Sequence, residues 1–326
     1  MNELFSSIFS VNFGYAILRV MTPLLFPAMG IAVSTMAGSQ NIAMEGAMLI
    51  AAFFGVIVGA FSGSLWLALL AGIAAAVLLC MILGYFHLKL KADIFLSAVA
   101  LNMFSSGITV FLLFMITGDK GSTSSLPSPV FPSIDIPLVE KIPVIGDIIS
   151  GHNILTYVAL VSVFLFYLLM FKTPLGLRIR AVGQNPDAAE SVGINVNRTK
   201  MYALMLSGLF AALGGLYLSM GYVSWFSKDM TAGRGFIAIA AATLGGMMPL
   251  GTMISSLFFA LVSAVAIYIA SLNIPSELIQ LIPYLITVVA LAVFSGRALK
   301  GRREKIAAED AGGTESVQEK NNTGDN

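Results

Sequence analysis

Residues 172–200 read Lys-Thr-Pro-Leu-Gly-Leu-Arg-Ile-Arg-Ala-Val-Gly-Gln-Asn-Pro-Asp-Ala-Ala-Glu-Ser-Val-Gly-Ile-Asn-Val-Asn-Arg-Thr-Lys, a polar island between two long apolar runs. The pattern predicts a helix of about two turns outside the membrane. Asn is a good N-cap, and Pro fits the first helical position, where its missing N–H has no intrahelical partner to lose. Acidic residues suit the positive end of the helix dipole, Ala propagates the helix and Gly ends it. The residues that carry this pattern are Asn185, Pro186, Asp187, Ala188, Ala189, Glu190 and Gly193. Such a helix presents few long side chains and suits docking into a groove of another protein, although a capped loop helix without a partner is the alternative.

The composition on either side of this island is that of a membrane protein. The 326 residues are 57% hydrophobic and only 11% charged, whereas soluble domains carry about 25% charged residues. No Asp, Glu, Lys or Arg occurs in residues 20–44, 46–86, 94–118, 154–171, 201–227, 235–276 and 278–296. Since a bilayer span needs about 20 apolar residues, the fold class predicted is an all-α polytopic membrane protein with about 8–10 transmembrane segments.

Breaks within the windows define individual spans. We predict spans at 14–37, 46–61, 65–86, 94–117, 154–171 and 201–226, then a short segment and a full span within 235–276, and a last span at 278–295. An N-terminal interfacial segment is expected at 1–13, a transmembrane domain at 14–296 and a disordered tail at 297–326.

Charge places the loops on two sides. Basic residues cluster at 87–91, in 172–200 and at the start of the tail, so these segments are predicted to be cytoplasmic. Residues 118–153 hold five of the twelve prolines and more acids than bases, and they are predicted to lie outside. The side of the N-terminus does not follow from these markers.

Several function classes lack their signatures. Cys80 is the only cysteine, and the only histidines are His87 and His152, so neither a disulfide framework nor a metal cluster is expected. Neither a Walker motif nor a catalytic signature is found, and no basic cluster resembles a nucleic-acid surface. We therefore expect no cofactor bound by this chain and no enzymatic activity in it.

The best candidate for a solute pathway is the polar break at 37–46, Ala-Gly-Ser-Gln-Asn-Ile-Ala-Met-Glu-Gly. Glu45 is the only acid between residues 4 and 92, and an ionisable group at membrane depth is a functional candidate by default. Asn41 is predicted to cap the helix that Glu45 begins, which would leave backbone groups free to bind a polar solute. The alternative is that Glu45 only completes a cap. Asn102 either lines the pathway or hydrogen-bonds a neighbouring helix.

A short internal sequence repeat suggests two related halves. Residues 45–52, Glu-Gly-Ala-Met-Leu-Ile-Ala-Ala, parallel residues 234–241, Arg-Gly-Phe-Ile-Ala-Ile-Ala-Ala, and each copy follows a polar break. Transporters are often built from two such halves around a pathway, although chance similarity between small-residue helices gives the same pattern.

Three stretches resemble the membrane permease subunits of binding-protein-dependent ABC importers, in the ribose and branched-chain amino-acid permease superfamily. They are residues 38–46, residues 97–102 (Ser-Ala-Val-Ala-Leu-Asn) and residues 176–193. The resemblance covers roughly residues 20–296 and favours the bacterial nucleoside, or simple-sugar, permeases. Gly38-Ser39-Gln40 departs from the Gly-Val-Leu-like run expected before Asn41, which affects the substrate more than the family.

The resemblance implies the partners. The helix at 186–192 would be the coupling helix that sits in an ABC ATPase subunit, with ATP and Mg bound by that ATPase and not by this chain. An extracytoplasmic solute-binding protein would dock outside, and a second related permease, or a second copy, would complete the transporter in the bacterial cytoplasmic membrane.

The resulting prediction is ATP-driven alternating access for a nucleoside or related sugar-containing solute. Polar groups of Asn41, Glu45, Gly46 and Asn102 are predicted to line the pathway. Two alternatives stay open: an ion-coupled secondary transporter that uses a proton on Glu45, and an ABC permease for simple sugars or branched-chain amino acids.

Overall fold

The computed structural model describes residues 11–135 and 145–270, together with the isolated residues Leu285 and Ala292. Within these residues the helices are α1 (Val11–Met36), α2 (Met44–Ser62), α3 (Leu65–Gly84), α4 (Ile94–Thr117), α5 (Ile145–Ile149), α6 (Ile154–Lys172), α7 (Pro174–Gln184), α8 (Pro186–Ser191), α9 (Val196–Tyr217), α10 (Arg234–Leu244) and α11 (Pro249–Ala270). Single π-helical turns extend α3 over Tyr85–Lys89 and α9 over Leu218–Tyr222. The two strands are β1 (Ser133–Ile134) and β2 (His152–Asn153).

Seven of these helices are long and apolar enough to span a membrane, and α10 is a shorter apolar helix. The all-α polytopic fold class is therefore confirmed, and the predicted short segment, turn and full span within 235–276 correspond to α10 and α11. The predicted last span at 278–295 and the tail at 297–326 lie outside the described ranges apart from two residues.

Two predicted boundaries are wrong at the start of a helix. α1 starts at Val11, three residues before the predicted start of the first span at 14. Residues 1–10 lie outside the described residues, so the interfacial segment at 1–13 stays a prediction. The span predicted at 201–226 starts five residues earlier, with Asn195 as N-cap. The charge-free window missed this turn because α9 continues beyond the apolar region and carries basic residues there.

The core of the described bundle is formed by α1, α2 and α9. α1 is buried along most of its length and runs without a break through Pro23 and Pro27. Gly215 of α9 packs directly against the backbone carbonyl of Met48 in α2, so even a methyl side chain would not fit at residue 215. α4 and α6 leave many large apolar side chains exposed, as helices that face lipid or another subunit do.

One end of the bundle, called the proline-rich end here, contains the described part of the 118–153 loop. β1 pairs antiparallel with β2, and Ser122 forms a β-bridge with Ser227. The first turns of α1 lie at the same end, because the Tyr15 ring stacks on His152 at 3.9 Å and its hydroxyl donates to the Gly151 carbonyl. α1 therefore enters the bundle from the side of the proline-rich loop, which settles a point that the charge pattern left open.

The other end, called the basic end here, contains residues 85–93 and 172–200. α7 packs against the last turn of α1, and Gly183 contacts the backbone carbonyl of Met36 so closely that no side chain would fit between them. The connection between α1 and α2 begins at this contact. The break that the sequence singled out is thus joined directly to the predicted coupling loop.

Candidate functional site: two broken helices and an exposed loop helix

The break between α1 and α2 is held by Asn41, whose side chain is fully buried. Its Oδ1 accepts from the Ala43 amide at 2.9 Å, and its Nδ2 donates to Ser207 Oγ at 3.0 Å and to Cys80 Sγ at 3.3 Å. The prediction that Asn41 caps α2 is wrong, because Ala43 occupies the N-cap position and makes no side-chain cap bond. Asn41 lies too early in the chain for that role and instead connects the break to α3 and α9.

Asn102 of α4 holds the other side of the same break. Its Oδ1 accepts from the Gly46 amide at 2.8 Å, and its Nδ2 donates to the Ile42 carbonyl at 3.0 Å. It therefore satisfies a backbone donor in the first turn of α2, which a helix start leaves without an intrahelical partner, and it also pairs with the Ile42 carbonyl before that turn. A Cβ at residue 46 would lie 2.6 Å from Ser105 Oγ, so this close approach of α4 requires glycine.

Glu45 caps a helix other than its own. Its Oε1 accepts from the Gly233 amide and its Oε2 from the Gly235 amide, both at 2.7 Å. Gly233 is the N-cap of α10 and has a φ of 75°, in the left-handed region that favours glycine. A carboxylate at this position also neutralises the positive end of the α10 dipole. The open question about Glu45 thus has a structural answer in part: it is a cap, and the helix it caps belongs to the second half of the chain.

The two copies of the sequence repeat, 45–52 and 234–241, meet where Glu45 binds the start of α10. Gly235 lies so close to α2 that a Cβ there would be 2.6 Å from the Glu45 amide nitrogen. α10 has 11 residues, which is about 16 Å of helix and half of a hydrocarbon core. The N-termini of α2 and α10 therefore converge on one carboxylate inside the bundle.

The segment before α10 contributes polar groups that the sequence analysis passed over. Ser106 of α4 donates to Asp229 Oδ1 at 2.8 Å, and Asp229 has a φ of 51°. The Arg234 guanidinium donates to the carbonyls of Met230 and Thr231, both at 3.1 Å. The charges at 228–234 mark only the end of a span in the sequence, but an Asp and a Gly before a short apolar helix are typical of a structured entry loop.

At the basic end, the predicted loop helix forms as expected. Asn185 is the N-cap of α8 and accepts from the Ala188 amide at 3.0 Å, Pro186 is the first helical residue, and Gly193 follows the helix with a φ of 85°. Asp187, Ala188 and Glu190 are exposed.

Two details of this helix differ from the sequence interpretation. Ala189 is only 4% exposed and faces the protein, so it is not part of an exposed docking face. Val192, which the sequence analysis did not single out, is 74% exposed and lies four residues after Ala188. The exposed apolar side chains of this segment are therefore Ala188 within α8 and Val192 at its C-cap position.

No group of three or more His, Cys, Asp or Glu residues that could hold a metal ion occurs within 11–135 and 145–270. The polar groups around Glu45 are instead occupied by backbone donors and acceptors. Broken helices that meet inside a bundle of spanning helices are the arrangement from which membrane transport proteins build solute sites. Fold and site together define this class, a multi-pass membrane permease.

The comparison with known proteins narrows the class. Residues 15–291 match the family described as branched-chain amino acid transport system / permease component. The guanosine ABC transporter permease protein NupQ of Bacillus subtilis (strain 168) is 37% identical over 295 residues, 87% of this chain and 92% of that protein. The nucleoside ABC transporter permease protein NupC of Lactococcus lactis subsp. cremoris (strain MG1363) is 33% identical, again over 87% of this chain and 92% of that protein. The chain belongs to this permease family and is the permease subunit of an ABC transporter.

A solved structure supports the fold. PsaBC from Streptococcus pneumoniae in complex with Fab contains a chain with a TM-score of 0.51 to this one, at 14% identity, covering 89% of this chain and 95% of that chain.

An ABC transporter permease implies an ATPase and a solute-binding protein as partners, and the ABC class disfavours the ion-coupled alternative.

Proposed function

We propose that this chain is a translocation subunit of an ABC importer for nucleosides in the bacterial cytoplasmic membrane. The observation that carries the proposal is the alignment with guanosine and nucleoside permeases over 87% of the chain. Import is favoured over export because the resemblance is to permeases that work with an extracytoplasmic binding protein. That protein would dock at the proline-rich end, and the ATPase would dock at the basic end.

The charge balance of the broken-helix site suits such a substrate. Glu45 is the acidic group there, and both of its oxygens accept backbone hydrogen bonds at the start of α10. The carboxylate is therefore paired with the N-terminus of α10 and is not free to act as a counter-ion for a charged solute. A nucleoside is neutral and rich in hydroxyls, and it needs hydrogen-bond partners more than a counter-ion.

The coupling step would start at α8. Ala188 and Val192 form an exposed apolar face at the basic end, and a short helix with such a face fits a groove on the ATPase. α7 follows any movement of α8, because only Asn185 separates the two helices. Gly183 of α7 would then pass the displacement to Met36 and so to the break at 37–46.

Alternating access would follow from this connection. Closure of the ATPases on ATP and Mg, both bound by the ATPase, would favour one position of α8 and α7 over the other. A ligand or partner shifts an equilibrium only by binding two states differently. The two halves contact each other where Glu45 binds the start of α10, so the movement would pass from one half to the other at this junction.

A second permease subunit is proposed to complete the transporter, either a related chain or a second copy of this one. Two relatives from each of two organisms match this chain, the guanosine permease proteins NupQ and NupP of Bacillus subtilis and the nucleoside permease proteins NupC and NupB of Lactococcus lactis. Two permease proteins named for the same solute in one organism favour a heterodimer.

The coupling proposal is tested by co-purification and uptake. Ala188→Arg and Val192→Arg, made separately, should each reduce capture of the co-expressed ATPase and uptake of labelled guanosine by at least tenfold, because each places a charge on the proposed contact. Asn197→Arg is the matched control, since residue 197 is exposed on the next helix, and it should behave like wild type. Equal capture by all four proteins would show that α8 is not the main contact.

The substrate proposal is tested by competition. Excess unlabelled uridine or guanosine should suppress uptake, whereas excess leucine should not. Suppression by glucose or ribose but not by nucleosides would instead assign the transporter to simple sugars. An uncoupler that abolishes uptake while ATP is maintained would contradict the ABC mechanism itself.

A further inference from the structure

An apolar groove of about 620 Å3 lies between α6 and the beginning of α11. Its walls include Leu160, Phe164, Tyr167 and Phe171 of α6 and Leu250 and Met253 of α11. The α6 residues recur at helical spacing and cover 11 residue steps, which is about 16 Å of helix. Half of a hydrocarbon core is about 15 Å, so the groove is as long as one membrane leaflet is thick.

The groove begins at the basic end of the bundle. Phe171 is followed at once by the exposed Lys172, which is the last residue of α6. On the α11 side the wall starts at Met248, immediately before that helix. The mouth of the groove is therefore at the level of the basic loop, and its far end lies near the middle of the membrane.

A cation lies beside the mouth of the groove, against one of the residues that form its wall. The guanidinium carbon of Arg180 is 4.5 Å from the centre of the Phe171 ring, and the Phe171 ring stacks on Tyr167 with centroids 5.4 Å apart. Arg180 Nε is buried and has no hydrogen-bond partner among the described residues. Arg180 as a whole is half-buried, so an anionic oxygen of another molecule would contact the part of the guanidinium beyond Nε.

We propose that the groove is a binding site for an anionic phospholipid from the leaflet at the basic end. The acyl chain would lie along the α6 stripe, and the phosphate would pair with Arg180. Guanidinium groups pair with phosphate in a planar, two-bond geometry. An uncharged apolar occupant would fill the groove equally well but would not pair with the Arg180 guanidinium. The charge at the mouth is therefore what selects the anionic lipid.

The test is lipid binding to the purified full-length chain, measured by native mass spectrometry. The probes are phosphatidylglycerol and phosphatidylcholine with identical acyl chains. Arg180→Gln should weaken phosphatidylglycerol binding about fivefold, the effect of one basic residue at a membrane surface, and should leave phosphatidylcholine binding unchanged. Arg178→Gln is the matched control, because Arg178 is exposed on the same helix and loses the same charge.

Two further variants keep the test decisive. Leu250→Trp should lower the binding of both lipids, because the larger side chain fills the groove from a position that is 66% exposed. Arg180→Lys should retain part of the preference for phosphatidylglycerol, which a purely structural role of Arg180 would not produce. Equal losses in Arg178→Gln and Arg180→Gln would overturn the proposal in favour of general surface charge. Unchanged lipid binding in Leu250→Trp would overturn it too, because another subunit or segment would then occupy the groove.

Discussion

The bond between Glu45 and the start of α10 can be tested by changing one atom. In Glu45→Gln, the side chain keeps its size and one carbonyl oxygen, but the second oxygen becomes an NH2 group. That NH2 would face one of the two amides, Gly233 or Gly235, that now donate at 2.7 Å. A donor would therefore meet a donor, and the remaining bond would lose its charge assistance.

The expected loss follows from the two bonds. A hydrogen bond to a charged group contributes about 1.5–3 kcal/mol, and a neutral one about 0.5–1.5 kcal/mol. Removing one charged bond and neutralising the other lowers the free energy of unfolding by about 2–4 kcal/mol. With a shift of about 2 °C per kcal/mol for a chain of this size, the melting temperature of the detergent-solubilised protein falls by about 4–8 °C.

The control is Glu190→Gln on α8, which removes an exposed carboxylate and should melt within about 1 °C of wild type. If Glu45→Gln also melts within that margin, the two bonds do not hold the junction and the reasoning is refuted. The measurement also bears on the proton-coupled alternative. If a proton on Glu45 drove transport, Glu45→Gln would abolish the dependence of uptake on the proton gradient, whatever its effect on the melting temperature.

The remaining predictions concern the partners of the break and the proline-rich end. Gly46→Ala should lower the melting temperature by an amount equivalent to about 1–3 kcal/mol, because its Cβ would lie 2.6 Å from Ser105 Oγ; a melting curve that matches wild type would show that α4 can move away without loss. Asn102→Asp should destabilise the protein by about 1–3 kcal/mol, since a carboxylate accepts from the Gly46 amide but cannot donate to the Ile42 carbonyl. If that donor matters, the melting temperature of Asn102→Asp should be lower than that of Asn102→Gln. Burial lowers the pKa of His152 from 6.5, so its neutral form is favoured in the folded protein. Stability should be full above pH 6.5 and fall as the pH drops below it. Melting temperatures from pH 8 to 5 should therefore decline less in His152→Gln, and identical slopes would contradict this role.

The spans were predictable because one physical property decides them. Charge-free windows long enough to cross a bilayer gave the positions of the seven long helices and of α10. Boundaries failed where that property does not apply, as at Val196, where α9 begins outside the apolar window. The side of the membrane on which α1 begins could not be predicted for a related reason. No charged cluster flanks α1, so loop charge carries no information about its orientation.

The loop helix was predictable because its signals are local. Asn185, Pro186 and Gly193 act within a few residues of chain, and each lies where capping chemistry requires it. Burial of Ala189 was not predictable, because it depends on the surface against which α8 packs. The exposure of Val192 has the same cause.

The contacts of the broken helices could not be derived from local signals at all. Glu45 and Asn41 stand out as polar groups in apolar surroundings, which is why they could be found. Their partners lie far along the chain, at Gly233 for Glu45 and at Ser207 for Asn41. Only the sequence repeat between 45–52 and 234–241 indicated that the two segments are related, since each has a glycine at the same offset.

The distance along the chain between Glu45 and its partners has a consequence for biogenesis. Gly233 is 188 residues away, so at about 5–20 residues per second the ribosome completes it roughly 10–40 s after Glu45. During this interval the carboxylate has none of its final donors, and an unpaired acid is unfavourable in hydrocarbon. We therefore expect the first turn of α2 to stay hydrated at the translocon or at the bilayer surface until α10 is synthesised. Synthesis of α10 then allows the start of α2 to take its final position in the membrane, so the two halves complete their insertion together in a late step.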